Sequence, residues 1–138
     1  MIAGGIVPAD TSPMTMQANS RSIAVVDDDE LMRGALRGLL ELAGFKARAF
    51  ASAEEFLDSN ELHHVSCLIT DIRMPGMSGL DLQARLNADE IRIPIIFITA
   101  HGDERVRMQA LRSGAVEFLA KPFDSEVLLE TVRAALAH

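Results

Sequence analysis

Residues 23–28 read Ile23-Ala24-Val25-Val26-Asp27-Asp28, an apolar run of strand length that stops on two carboxylates. Two further runs end in a related way: Cys67-Leu68-Ile69-Thr70 stops on Asp71, and Val116-Glu117-Phe118-Leu119 leads to Lys121-Pro122. If these runs are neighbouring parallel strands, their C-terminal ends meet at one edge of the sheet, where open α/β sheets bind ligands. Three carboxylates and one ammonium then share a pocket. Carboxylates that close resist joint ionisation unless positive charge stands among them, so the pattern asks for a divalent cation with oxygen ligands. A lysine beside that cation implies a further anion, and a phosphoryl group is the simplest anion that satisfies both.

Outward from Val26, Leu31, Leu36, Leu39, Leu40 and Ala43 recur at helical intervals, and Gly44 supplies a stop. Residues 47–50 read as a second strand, and Ser52 with Glu55 three positions on is a capping-box pattern opening a helix through Phe56 and Leu57. Residues 68–70 form a third strand, followed by a helix through Leu80, Leu82 and Leu86. The stretch 93–98 is nearly continuous in β-branched residues with Pro94 near its start, as suits a strand buried on both faces. A fourth helix runs through Val106 and Leu111 to Gly114, residues 116–119 form a fifth strand, and Asp124 caps a last helix through Val127, Leu128, Thr131, Val132 and Leu136. Five β-α repeats predict an α/β fold with a doubly wound, five-stranded parallel sheet. Right-handed crossovers then predict strand order 2-1-3-4-5, with strands one and three side by side.

The 138 residues suit one globular domain, which typically takes about 100–150 residues. Net charge is −7 and the basic residues are scattered, so no Lys/Arg stripe argues for nucleic acid as a direct partner. No stretch reaches the about 18 apolar residues of a membrane span. Residues 1–20, with Gly4, Gly5, Pro8 and Pro13 among Ser, Thr and Asn, predict a flexible N-terminal arm ahead of one domain over 21–138. The arm has no positive n-region and its apolar start is broken by two glycines, so it is a poor signal peptide and a cytoplasmic location is expected. Met14 and Met16 stand as alternative starts. Cys67 has no partner in the chain, and its apolar neighbours predict an inert, buried thiol in a reducing compartment. His63-His64 lack a Cys or carboxylate at ligand spacing and read as a solvated loop. Met74, Met77 and Met108 are expected to fill space, and Arg105, Arg107 and Arg112 to form a solvated helix face.

The strand-end motif VVDDDE, the stretch LITDIRMPGMSG around Asp71, IIFITAHGD containing Thr99 and FLAKPF containing Lys121 together resemble the receiver domain of two-component response regulators. Order and spacing agree: 44 residues from Asp27 to Asp71, 28 on to Thr99 and 22 on to Lys121. The likeness spans Ser22 to His138 and, through TAHGD and AKPF, is nearest to receivers preceding helix-turn-helix transcription regulators of the nitrogen-fixation type. The resemblance implies a flavodoxin-like (βα)5 fold and a phosphoacceptor signalling module rather than a turnover enzyme. Asp71 would accept a phosphoryl group from the phosphohistidine of a sensor histidine kinase or phosphotransfer protein. Mg2+ would be the cofactor, ligated by Asp28, Asp71 and the backbone carbonyl of Arg73, with Asp27 acting through a water and Asp29 a solvated neighbour. Thr99 and Lys121 would each contact a phosphoryl oxygen. Thr99 and Phe118, the latter standing where the family often has tyrosine, would switch the surface of the fourth helix, fifth strand and fifth helix, where the family forms homodimers and meets partners. The Lys121–Pro122 bond would be cis. Pro75, Gly76 and Gly79 would build the loop after Asp71, and His101 would border the pocket and influence access or dephosphorylation.

With the last residue at His138, a stand-alone regulator or phosphorelay component is expected ahead of the receiver half of a DNA-binding transcription factor. A magnesium-dependent phosphatase of the haloacid type also uses a strand-end aspartate, but needs a general acid two residues later, where Arg73 stands. A flavin site is disfavoured because the chain has no Tyr or Trp to stack on the ring and the acidic pocket would repel the cofactor phosphate. A degenerate receiver is disfavoured because Asp27, Asp28, Asp71, Thr99 and Lys121 fill all five key positions.

Overall fold

The computed structural model describes residues 21–100 and 102–137. The expected arm over 1–20, with Met14 and Met16, and the expected rim residue His101 lie outside the described residues. Five strands, β1 (Ser22–Val26), β2 (Lys46–Phe50), β3 (Cys67–Thr70), β4 (Ile95–Thr99) and β5 (Glu117–Ala120), alternate with five helices: α1 (Glu30–Leu42), α2 (Ala53–Leu57), α3 (Gly79–Ala88), α4 (Glu104–Arg112) and α5 (Ser125–Leu136). The sheet is parallel throughout, in the expected order β2-β1-β3-β4-β5. The chain leaves β1 for β2 on one side and returns to β3 on the other, and this reversal opens a crevice beyond the C-terminal ends of β1 and β3.

Strand alternation divides the core into two layers. Ala24, Val26, Leu68 and Phe97 face α2, α3 and α4, where Phe56, Leu82, Leu86 and Ala110 meet them. Ile23, Val25, Ile69, Ile96 and Ile98 face the opposite side and pack on Leu36 and Leu40 of α1 and on Leu128 and Val132 of α5. Because β1, β3 and β4 are covered on both faces, their sequences are continuous apolar runs, and each fully buried large side chain contributes about 1.5–3 kcal/mol. Cys67 lies in the second layer with no exposure, and burial pushes its thiol up to about 12.

Side-chain caps open each of these five helices: Asp29, Ser52, Ser78, Asp103 and Asp124 accept backbone N–H groups of the first turns. At α2 the expected box is half formed. Ser52 accepts from Glu55, but the Glu55 carboxylate takes the N–H of Ala51, and the reciprocal box occurs at α3 between Ser78 and Asp81. β4 begins at Ile95 rather than 93, since Pro94 has no N–H to give a ladder; its carbonyl accepts from Leu68. Phe118 is the second residue of β5, and its ring lies 6.2 Å from that of Phe97 in the first layer. Met74 is in the core and Met77 packs against it, and Met108 is 38% exposed on α4. His63 and His64 are exposed in the loop before β3. Arg105 and Arg112 are exposed, whereas Arg107 is half-buried and pairs with Glu104 at 3.4 Å. No helix among the described residues is long and apolar enough to cross a membrane.

Candidate functional site

Three hydrogen bonds extend the sheet past its strand ends and fix the backbone of the acidic crevice. The N–H of Asp27 donates to the carbonyl of Phe50, that of Asp71 to Val26 and that of Lys121 to Thr99, at 3.1, 3.1 and 3.0 Å. Asp27 and Asp71 therefore leave adjacent strands at the same height, as the pairing of Val26 with Thr70 requires. From the far side of β4, Lys121 places its Nζ 2.9 Å from Asp27 Oδ2 and 2.9 Å from Asp71 Oδ2. The second oxygens are also held: Asp29 N–H donates to Asp27 Oδ1 at 2.9 Å, and Ile72 N–H to Asp71 Oδ1 at 2.6 Å. Thr99 ends β4, buried, on the residue whose carbonyl receives the Lys121 N–H. The Lys121–Pro122 bond is cis.

Carboxylate oxygens of Asp27, Asp28 and Asp71 lie within 4.8 Å of one another. Asp27 and Asp71 are buried, whereas Asp28 is exposed and leaves the cluster open to water. Burial raises the Asp27 carboxyl above 3.8, with the Asp29 N–H and the Lys121 ammonium holding it back. For Lys121 burial pulls the other way, but hydrogen bonds to Asp71 and Asp27 outweigh it, so the amine stays charged with its value raised above 10.5. Two of the three clustered carboxylates share one ammonium, and the surplus negative charge with an all-oxygen donor set fits a hard divalent cation such as Mg2+. Arg73, the expected source of a carbonyl ligand, is exposed in the loop after Asp71.

Residues 23–133 match the family described as the response regulator receiver domain. The chain belongs to that family. Among curated proteins, this receiver is 47% identical over 120 residues to nodulation protein W of Bradyrhizobium diazoefficiens, covering 86% of this chain and 53% of that one. It is 41% identical over 119 residues to the transcriptional regulatory protein FixJ of Azorhizobium caulinodans, covering 86% and 56%. The receiver thus spans little more than half the length of these relatives. Among solved structures, the response regulator StyR superposes with a TM-score of 0.79 at 45% identity, over 86% of this chain and 60% of that one. FixJ-N superposes with a TM-score of 0.77 at 39% identity, over 86% and 95%.

Several residues that shape the receiver site escaped the sequence reading. Asp29, read as a solvated neighbour, is exposed but caps α1 while its own N–H holds Asp27. An acidic residue directly before a helical apolar pattern is a cap signal that could have shown this. Arg33 reaches back from α1 to donate to the Asp27 carbonyl at 2.8 Å, a contact six residues apart that no motif announces. Gly79, expected in the loop after Asp71, is instead the first residue of α3 and packs on the main chain of Asp71: a Cβ built there would collide with the Asp71 carbonyl oxygen and stand 3.1 Å from the Ile72 Cα. Gly102 is in the same position toward Phe118, whose ring occupies the space a Cβ would need.

Proposed function

We infer that this receiver accepts a phosphoryl group on Asp71 from the phosphohistidine of a sensor histidine kinase or a phosphotransfer protein, in the cytoplasm. The observation that carries the reading is the convergence of Asp27, Asp28 and Asp71 with the Lys121 ammonium at one sheet edge. An Asp71 carboxylate oxygen forms the new bond to phosphorus as the bond from phosphorus to the histidine nitrogen breaks, and the imidazole leaves. Asp28, Asp71 and the Arg73 carbonyl would hold Mg2+, with Asp27 acting through a water. When bound, the ion supplies positive charge against the transferring phosphoryl oxygens. Lys121, held by two carboxylates, is placed to exchange one of them for a phosphoryl oxygen, and Thr99 donates its hydroxyl to another. Inward movement of Thr99 would let the Phe118 ring change position and so alter the α4-β5-α5 surface, through which the receiver would form a homodimer or meet a partner.

The mass of the protein after incubation with magnesium and a small phosphodonor tests this. A phosphoryl-sized gain in the wild type and none in Asp71→Asn is expected; no gain in either would overturn the reading. A second reading of the output is favoured by the relatives, which are about twice as long and include a transcriptional regulatory protein. On that reading the receiver serves as the regulatory half of a DNA-binding factor. Sizing the protein with and without a phosphoryl analogue distinguishes a dimerising switch from a monomeric shuttle.

A further inference from the structure

Helix α4 is attached to the molecule differently from its neighbours. α1 buries Leu36 and Leu40, α3 buries Leu82 and Leu86, and α5 buries Leu128, Val132 and Ala135. Of the nine residues of α4, only Ala110 is buried, with Val106 partly buried against the first layer. Two amides on α3, one turn apart, act where large apolar side chains act elsewhere. Gln83 is 2% exposed and donates through Nε2 to the carbonyl of Ala110 at 2.9 Å. Asn87 donates through Nδ2 to the carbonyl of Ser113, the C-cap of α4, at 3.0 Å. The same Ala110 carbonyl also receives the N–H of Ala115, and Gly114 donates to Leu111, so the helix end is closed by its own chain as well.

Among the described residues, no side chain from a neighbouring helix donates to the other end of α4. Asp103 caps it from an exposed position through the Val106 N–H at 2.9 Å. Just before this cap stands Gly102, against the ring of Phe118 and beside the Thr99 methyl. The two residues assigned to switching therefore abut the N-terminal end, and the amide pair grips the C-terminal end.

We propose that Gln83 and Asn87 form an anchor that fixes the C-terminal turn of α4 to α3, so that α4 responds to the phosphorylation site by moving its N-terminal end about this fixed point. Gln83 is a positioning residue for that response and touches no reacting atom. A buried amide is suited to this task. Losing its partner would leave a buried polar group unsatisfied, so the contact resists sliding in a way that an apolar contact does not. The direction of movement rests on the phosphoacceptor reading, while the anchor itself does not.

Amide hydrogen exchange read by mass spectrometry on the full chain tests both parts, in wild type, Gln83→Met and Asn87→Ala. Methionine keeps the length and flexibility of glutamine without the donor, and Asn87 is exposed, so its variant folds whatever Gln83 requires. Without additives, exchange over residues 107–115 should rise by roughly three- to tenfold in Gln83→Met and by less in Asn87→Ala, with β1 and β3 unchanged. Addition of magnesium and beryllium fluoride should alter exchange at residues 102–106 in the wild type while 107–115 keeps its protection, and in Gln83→Met the change should spread to 115. Unchanged exchange over 107–115 in Gln83→Met, or an equal rise in α1 and α5, overturns the anchor. An equal response of both ends of α4 in the wild type overturns the fixed point. If the additives alter nothing in any of the proteins, the phosphoacceptor reading fails while the first comparison still judges the anchor.

Discussion

At Asp27, burial and ion pairing pull in opposite directions, and burial prevails: the carboxyl lies above 3.8 even with Lys121 Nζ at 2.9 Å. As pH rises from 3.8 through the raised folded value, the unfolded chain ionises first, so stability falls across that window and the whole cost is present at neutral pH. Asp27→Asn should therefore raise the thermal midpoint at pH 7 in magnesium-free buffer, and the gain should vanish once the pH is below 3.8. A midpoint at pH 7 that is unchanged or lower would contradict this. Lys121 carries the opposite sign, since its stabilisation is complete below 10.5 and is lost as pH rises from there through its raised folded value. Gly79 constrains the same site by volume rather than charge. With the Asp71 carbonyl oxygen and Ile72 Cα against it, a methyl group has no flexible neighbour to displace. Gly79→Ala should cost about 1–3 kcal/mol in urea denaturation and slow phosphoryl uptake, because the backbone that must yield is the one bearing Asp71.

Three helices end with the same device and different residues in it. The N–H of Phe45 returns to Leu40, that of Ile91 to Leu86 and that of Ala115 to Ala110, at 3.0, 2.9 and 3.0 Å. The residue before each donor has positive φ: Gly44 at 96°, Glu90 at 57° and Gly114 at 106°. Glycine adopts that conformation without penalty and glutamate does not, so Glu90→Gly should raise stability by about 0.5–1 kcal/mol. The increase should appear as a higher denaturant midpoint at constant m. Gly44 and Gly114 were legible as helix stops because glycine advertises this geometry; the end of α3 was not, since nothing in Asp89-Glu90 does. The same contrast runs through the rest of the chain. β1, β3 and β4 could be read from their apolar runs, and Asp27, Asp71 and Lys121 from their places at the ends of such runs, because parallel strands buried on both faces leave that trace. Gln83 could not be read: a polar residue between Leu82 and Leu86 looks like the wet face of a helix, and its partner is a main-chain carbonyl 27 residues away.

Across the whole molecule, the fold assembles negative charge that it does not neutralise. Strand order places the ends of β1 and β3 together, and the continued ladder holds Asp27 and Asp71 there regardless of their repulsion. The apolar layers on either side of the sheet supply the stability that keeps this arrangement intact. A cation that binds the clustered carboxylates has no equivalent site in the unfolded chain, so its binding free energy adds to folding stability. At about one hundred times the dissociation constant the gain is about 2.7 kcal/mol, which for a domain of this size corresponds to a rise of about 10 °C in thermal midpoint. Magnesium should therefore raise the wild-type midpoint in a concentration-dependent manner, whereas sodium at matched ionic strength should not. Asp28→Asn separates site binding from general screening, because Asp28 is the exposed member of the cluster and its removal leaves both buried ion pairs with Lys121 in place. In that variant the magnesium-free stability should stay within about 0.5 kcal/mol of wild type, as for most exposed substitutions, and the curve of midpoint against magnesium should shift to higher concentration. An identical magnesium response in the two proteins would remove Asp28 from the metal site, and the assignment of the cation to this edge of the sheet would go with it.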